Sequence, residues 1–351
     1  MNLTVGMIGL THPHSQPHLQ TLHALDDVAQ VLVWDEDPAA RRACRERWPK
    51  AREAGSLAAM LNPAEVAAVV VALPNRETPA ILQQVAAERV PILAEKPCAR
   101  SAAEFLPVLQ SAQQAGTPFT AFYLWRRHPA MLAIRDLVRS GALGRLTSVE
   151  LRMVTTQVRL RDPSHWLFQR EIAGGGILSW LGCHWLDLLR YLTGQEVETV
   201  AAMLDTISGE AIDVEDVASL GMRLSGGAMA SLYAGYLLAG GRPGYIAPGY
   251  DQAVILRGTE GVVSHRAEGN EHIVALESHA APWAASPRCE YRFSLPDSPA
   301  YGGQYGLEFV RDFLAGQEVP VAAVDVLRVL EILDAAYASA AAGRVMAVER
   351  R

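Results

Sequence analysis

The sequence is short of cysteine, of long apolar stretches and of clustered positive charge, and each shortage excludes something. Its four cysteines, Cys44, Cys98, Cys183 and Cys289, stand alone, with no C-x-x-C pair. That excludes a zinc knuckle and a disulfide framework, and fits a reducing compartment. The apolar run 66–73 is far shorter than the roughly 20 residues that cross a bilayer. No basic run or basic helix face appears, and the formal net charge is −7 with a pI of about 5.8. That balance counts against nucleic acid and anionic membrane as partners. The one arginine cluster, Arg41, Arg42, Arg45 and Arg47, is mixed with or preceded by Asp35, Asp37 and Glu46, and reads as a solvated helix face. The N-terminal MNLTVGMIGL has neither the basic region nor the cleavage site of a secretory signal. A cytoplasmic protein is expected.

What is present is a globular composition, 50% hydrophobic and 20% charged over 351 residues, a length that fits two domains. Strands are expected at 3–10, 28–34, 66–73, 91–94 and 118–123, and helices at 15–25, 38–48, 78–87 and 102–115. These strands are rich in Val, Ile and Ala and mostly do not alternate with polar residues, the pattern of strands buried on both faces. Residues 1–123 are therefore expected to form a doubly wound α/β domain with a parallel sheet.

Beyond 123 the pattern changes. Helices are expected at 129–140, 177–192, 305–315 and 324–341, and strands at 146–158, 197–205, 218–224, 228–238, 252–258, 262–267 and 292–295. Strands in succession, with helices set apart, point to an α+β domain over 124–351 with a largely antiparallel open sheet. Residues 239–250, rich in Gly and Pro and carrying Tyr245 and Tyr250, read as a mobile loop able to close over substrate. No internal repeat is present.

The first strand runs into Gly9-Leu10-Thr11-His12-Pro13-His14 and then a helix. A dinucleotide turn of the Rossmann type wants G-x-G-x-x-G; Thr11 and His14 replace the second and third glycines, and Pro13 lacks an N–H to offer a pyrophosphate. The context is stronger, because Asp35 ends the second strand where the acid that binds the adenosine ribose belongs. An acid there favours NAD over NADP; Arg41 and Arg42 weaken that preference without reversing it. The alternative is that Asp35 merely starts a turn before Pro38. His12, His14, His18 and His23 invite a metal-hydrolase reading, but later strand ends carry Asp35, Pro74-Asn75 and Glu95-Lys96, and the strand–helix pattern stops too early for a barrel. No metal is expected.

The sequence resembles the glucose–fructose oxidoreductase and inositol dehydrogenase family, often called Gfo/Idh/MocA. Glu95-Lys96-Pro97 looks like its signature tripeptide, and Leu73-Pro74-Asn75 like its T-P-N turn. Tyr123-Leu124-Trp125-Arg126 resembles the segment that opens the second domain. Gly174-Gly175-Gly176, followed by Leu181-Gly182-Cys183-His184-Trp185-Leu186-Asp187, resembles the glycine-led active-site helix, and 213–218, 226–228 and 258–262 echo later segments. The likeness runs in order along essentially the whole chain. It implies an NAD(P)-dependent oxidoreductase acting on a hydroxyl carbon of a sugar, cyclitol or related polyol. It assigns the proton chemistry to Lys96 and His184, and cofactor binding to Gly9, Thr11, His12, Asp35, Leu73, Pro74, Asn75, Glu95 and Lys96. The alternative for Lys96 is a surface lysine, against which its place at a strand's C-terminal edge counts; without the resemblance His184 reads as a core histidine.

This sequence departs from the family at two points. Trp180 stands where the aspartate of D-x-x-x-H belongs, and Thr78 replaces the histidine downstream of T-P-N. Four residues apart on a helix, Trp180 and His184 are expected to share a face, so an indole that can stack on a sugar neighbours the imidazole. Asp187 is a partial substitute for the missing acid. Arg126 is expected either to hold a substrate hydroxyl or carboxylate or to pair with an acid, and Trp166 to wall the pocket. Two further readings stand beside the enzyme: a non-catalytic or regulatory dinucleotide-binding protein, and a structural protein that has lost the cofactor. An open sheet exposed on one face predicts a homodimer or homotetramer.

Overall fold

The computed structural model describes residues 2–239, 251–268, 270–317 and 321–351. The loop expected to close over substrate, with Tyr245 and Tyr250, lies outside the described residues. The chain forms two compact units, Met1–Leu124 with Pro296–Leu327, and Trp125–Leu295 with Arg328–Arg351.

The first unit begins β1 (Leu3–Ile8), α1 (Ser15–Ala24), β2 (Val28–Trp34), α2 (Pro38–Arg47), β3 (Ala51–Glu53), β4 (Ala68–Val71), α3 (Thr78–Ala87), β5 (Ile92–Ala94), α4 (Ala102–Ala115) and β6 (Phe119–Ala121). The six strands pair in parallel in the order β3-β2-β1-β4-β5-β6. Every residue of β4 and β5 is buried, as helices on both faces of a sheet require. The helices carry clear local signals. Ser101 caps α4 by accepting from Glu104 N, the helix ends at Gly116 in the left-handed region, and Phe105, Val108, Leu109 and Ala112 form its buried stripe. Burying each larger member of that stripe contributes about 1.5–3 kcal/mol. The strand order reverses about β1 and β4, and open α/β sheets bind ligands outside the C-terminal ends of the strands at such a switch point.

The second unit runs through α5 (Pro129–Arg139), β7 (Leu146–Thr156), the short α6 (Arg170–Ala173), a π turn over Leu178–Gly182 that continues into α7 (Cys183–Thr193), β8 (Val197–Asp205), β9 (Val217–Leu224), β10 (Met229–Leu238), β11 (Asp251–Gly258), β12 (Gly261–Glu268), β13 (Glu271–Ser278) and β14 (Arg288–Ser294). With β15 (Met346–Ala347) these make a nine-stranded sheet, β14-β13-β12-β11-β7-β10-β9-β8-β15. Among the described residues of this sheet only β7 and β10 pair in parallel. Along β10, Ala230, Leu232 and Ala234 are buried while Met229, Ser231 and Tyr233 are exposed, so the sheet covers a core on one face only.

The chain then returns to the first unit through α8 (Gly303–Leu314), and the unit boundary at Leu327 falls inside α9 (Ala323–Ala342). A second domain running unbroken from 124 to 351 did not anticipate this return. Its cause is aromatic packing: Phe309 lies against Phe122 and the Tyr301 ring against His14 and His18, with ring centroids 5.8, 4.7 and 4.7 Å apart. Tyr301 N also donates to Thr21 Oγ1 at 2.8 Å. Among the described residues no helix is long and apolar enough to cross a membrane.

Candidate active site

The first unit sets its turn with one glycine. Gly9 follows β1 at φ +90°, and a Cβ there would sit 2.1 Å from the Ala72 carbonyl oxygen, so no other residue fits the approach of β1 to the end of β4. Beyond it, side chains tie what glycines usually leave open. Ser15 Oγ donates to Gly9 O at 2.9 Å, and His14 N donates to His12 Nδ1 at 3.0 Å. His12 is buried and Thr11 exposed.

Asp35 is buried at the end of β2. Its Oδ2 accepts Leu10 N at 2.7 Å and its Oδ1 accepts Asp37 N at 2.9 Å. A carboxylate offers about four acceptor positions, so each oxygen keeps one for a ribose hydroxyl. Arg41 is occupied, donating to the Asp35 carbonyl at 2.5 Å with Glu53 3.6 Å away. At the end of β4, the Thr78 hydroxyl binds the Leu73 and Pro74 carbonyls at 3.1 and 3.0 Å, closing the turn that carries buried Asn75. The glycine approach, the fixed acid and the place at the switch point of the strand order together fit a dinucleotide.

Glu95 and Lys96 end β5, both buried. Lys96 is one of only two lysines in the chain, the other being Lys50. Glu95 Oε2 meets His18 Nε2 at 2.7 Å, and Oε1 lies 3.1 Å from His14 Nδ1 and 3.7 Å from Lys96 Nζ. The Tyr301 hydroxyl is 2.9 Å from the same His14 Nδ1. Burial pushes the Glu95 carboxyl up, but His14, the hydrogen bond from His18 and Lys96 outweigh it and hold it well below the usual carboxylate range. Burial lowers His14 to about 4 against the pull of Glu95, so a neutral imidazole faces an ionised carboxylate at neutral pH. The N-terminal histidines thus divide. His12, His14 and His18 turn inward, whereas the His23 imidazole meets Leu19 O at 2.7 Å and accepts from Lys50 N.

In the second unit the glycine run has a steric reason. A Cβ on Gly176 would lie 1.9 Å from the Glu215 carbonyl oxygen. Glu215 Oε1 accepts from Gly176 N, Leu178 N and the Tyr337 hydroxyl at 2.9, 3.1 and 2.9 Å, which pins the start of the segment carrying His184. Burial raises the Glu215 carboxyl despite those donors, and raises the Tyr337 hydroxyl well above its usual range. His184 and Trp180 are both buried.

Two expectations change here. The helix expected at 177–192 opens as a π turn, so α-helical four-residue spacing does not describe the step from Trp180 to His184. The Trp180 ring meets the edge of Trp166, with centroids 6.3 Å apart. Asp187 is not spare: Arg126 grips both its oxygens, Nε to Oδ2 at 2.8 Å and Nη2 to Oδ1 at 2.6 Å. The ion-pair alternative for Arg126 is the one observed, and it is buried rather than superficial.

Sequence reasoning missed His14 and His18 as partners of Glu95, Tyr301 as the partner of His14, and Glu215 with Tyr337 as the helix anchor. It also missed a buried trio in the second unit: His265 Nε2 lies 2.9 Å from His272 Nδ1 with the two rings stacked, and His128 meets His272 edge to face with ring centroids 4.2 Å apart. Among the described residues no group of three or more His, Cys, Asp or Glu is placed to hold a metal ion.

The fold and its strand-end residues define an NAD-binding Rossmann domain joined to a sheet-based second domain. Residues 3–123 match the oxidoreductase family with an NAD-binding Rossmann fold, and residues 131–264 match the GFO/IDH/MocA C-terminal domain. The chain belongs to the Gfo/Idh/MocA family of oxidoreductases. It is 24% identical over 352 residues to inositol 2-dehydrogenase of Rhizobium meliloti (strain 1021), covering 99% of this chain and 100% of that one. It is 27% identical over 392 residues to levoglucosan dehydrogenase of Pseudarthrobacter phenanthrenivorans, covering 97% and 96%. The structure of a levoglucosan dehydrogenase in complex with NADH and levoglucosan superposes with a TM-score of 0.82 at 25% identity, over 100% of both chains.

Proposed function

We propose that the chain is an NAD-dependent dehydrogenase acting on a hydroxyl carbon of a sugar, cyclitol or related polyol, with Lys96 and His184 handling the proton. The observation that carries this is the buried Lys96 beside an ionised Glu95 at the C-terminal edge of the parallel sheet, where doubly wound folds bind ligands. Inositol and levoglucosan dehydrogenases among the relatives support the substrate class. Bound nicotinamide supplies the hydride acceptor. Gly9, Thr11, His12 and Leu73-Pro74-Asn75 border the dinucleotide, and Asp35 takes its adenosine ribose. Lys96 and His184 hold the substrate hydroxyl and move its proton as the carbon–hydrogen bond breaks. Trp180 and Trp166 offer aromatic surface to a sugar face.

Lys96→Ala and His184→Ala are each expected to lower turnover of a polyol at least about a hundredfold, the usual share of a positioned acid or base. Unchanged turnover in either removes that residue from the mechanism. One observation favours a second reading, dinucleotide binding without turnover: Trp180 occupies the place of the family's acid. NADH formation with any polyol would exclude it. The protein is further proposed to be cytoplasmic and to assemble as a homodimer or homotetramer through the open sheet face, where Met203, Met229 and Tyr233 are exposed. A monomer at micromolar concentration in sedimentation would refute the assembly.

A further inference from the structure

The Lys96 side chain is fully buried. A group that exchanges a proton with substrate at every turnover must return it to solvent, through groups within hydrogen-bond reach. From Lys96 Nζ, Glu95 Oε1 is 3.7 Å away, a gap that a flexible four-carbon lysine stem can close. From Glu95 Oε1, His14 Nδ1 is 3.1 Å away, and from there the Tyr301 hydroxyl is 2.9 Å away. Tyr301 is only half-buried. Glu95 is held in this line by its other oxygen, which His18 Nε2 meets at 2.7 Å, and the His18 ring packs against Phe122 and Tyr301.

We propose that Glu95, His14 and Tyr301 form the route by which a proton passes between Lys96 and solvent. The proposal rests on the reading of Lys96 given above. As the substrate O–H breaks and an Nζ–H forms, Lys96 gives one of its own protons to Glu95 Oε1. Glu95 passes it to His14 Nδ1 as the proton that nitrogen already carries moves to the Tyr301 oxygen and the Tyr301 hydroxyl proton turns outward and leaves to water. One proton enters and one leaves, and all four residues end in the charge state in which they began. Besides Glu95 and Lys96, the titratable groups facing His14 are His12, His18 and Tyr301. Burial keeps His14 neutral between transfers, its Nδ1 able to give one proton as it takes another. His14 stands where a G-x-G-x-x-G turn has its last glycine, and Tyr301 arrives on the returning segment, so this route depends on two departures from the simplest form of the domain.

The full chain tests this with two readouts. In a single turnover with NAD and a polyol that it oxidises, absorbance follows NADH and an indicator dye follows the released proton. Wild type is expected to show the two traces together. Tyr301→Phe and His14→Gln are expected to delay the dye trace behind the NADH trace by roughly tenfold or more. Traces that stay together in both variants would overturn the route. The second readout needs no turnover: NMR of isotope-labelled histidine, with the His14 signal assigned by His14→Gln. Lys96→Met removes a cation facing His14 and is expected to raise the His14 pKa above about 4. An unmoved titration would overturn the coupling. Tyr301→Phe keeps its ring packing, so the kinetic arm survives even if His14→Gln does not fold. Polyol oxidation that persists in Lys96→Ala overturns the reading of Lys96 itself, a failure told apart from the others because His14 still responds to Lys96→Met.

Discussion

Arg126 and Asp187 face each other as a two-pronged buried ion pair, the guanidinium giving Nε to one carboxylate oxygen and Nη2 to the other. The guanidinium also lies over the Tyr191 ring, 5.1 Å from its centroid. Removing one partner strands the other charge away from water, which costs about 3–5 kcal/mol. Arg126→Ala is therefore expected to lower the denaturation midpoint sharply, with Arg126→Leu combined with Asp187→Leu recovering much of the loss. An Arg126→Ala protein of full stability that fails only to bind substrate would show that the arginine serves substrate instead.

Asp35 makes a separate prediction on cofactor choice. Its two fixed oxygens each retain an acceptor position, and a hydrogen bond to a charged group contributes about 1.5–3 kcal/mol. Asp35→Ala is expected to weaken NADH binding roughly tenfold to a hundredfold, while NADPH, whose phosphate the aspartate repels, is expected to lose little or gain. Fluorescence titration with both reduced cofactors measures the two effects. Equal losses for NADH and NADPH would remove Asp35 from the ribose site.

The residues most legible in the sequence were those whose structure is local. β4 and β5 announce themselves because burial on both faces leaves unbroken apolar runs, and β1 and β2 because most of their residues are apolar with a single polar interruption each. β3 does not, since only Ala51 of its three residues is buried. β13 was passed over because buried His272, Ile273 and Val274 stand together and break the alternation. Glu95 was found by its motif, but its partners were not: His14 and His18 sit in another turn of chain, and Tyr301, the partner of His14, lies more than 200 residues further along the sequence. The π turn before α7 has no sequence mark, yet it alters the spacing on which the Trp180–His184 expectation rested. Pairings made only by tertiary contact leave no period to read.

The buried histidines predict acid sensitivity. Burial lowers His128 to about 2 and His265 to about 4, with neighbouring histidines adding to both shifts, and it lowers His14 to about 4. In the unfolded chain each titrates near 6.5. Across the interval between, the unfolded state binds more protons, so stability is full above about pH 6.5 and is lost as pH falls towards about 4. Denaturant midpoints at pH 7 and pH 5 should differ clearly in wild type. Substituting His265 and His272 by apolar residues should shrink the difference. Equal midpoints at both pH values in wild type would mean that these imidazoles are not held neutral in the fold.

Glu215 is the prediction that separates anchoring from chemistry. It touches no residue proposed to hold cofactor, but its Oε1 collects the Gly176 and Leu178 N–H groups and the Tyr337 hydroxyl at the start of the segment that bears His184. Glu215→Ala leaves two buried N–H donors and the part-buried Tyr337 hydroxyl without that acceptor, at about 1–3 kcal/mol for each buried group left unpaired. Glu215→Gln keeps one acceptor oxygen in place and is expected to lose far less. Gly176→Ala attacks the same joint sterically, because its Cβ would meet the Glu215 carbonyl, a backbone atom that cannot swing aside. If the anchor positions His184, Glu215→Ala and Gly176→Ala lower kcat with polyol while NADH affinity stays within about twofold of wild type, and Glu215→Gln restores most of the rate. A loss of NADH affinity as large as the loss of kcat would mean instead that the damage spreads through the whole chain and that Glu215 supports the fold alone.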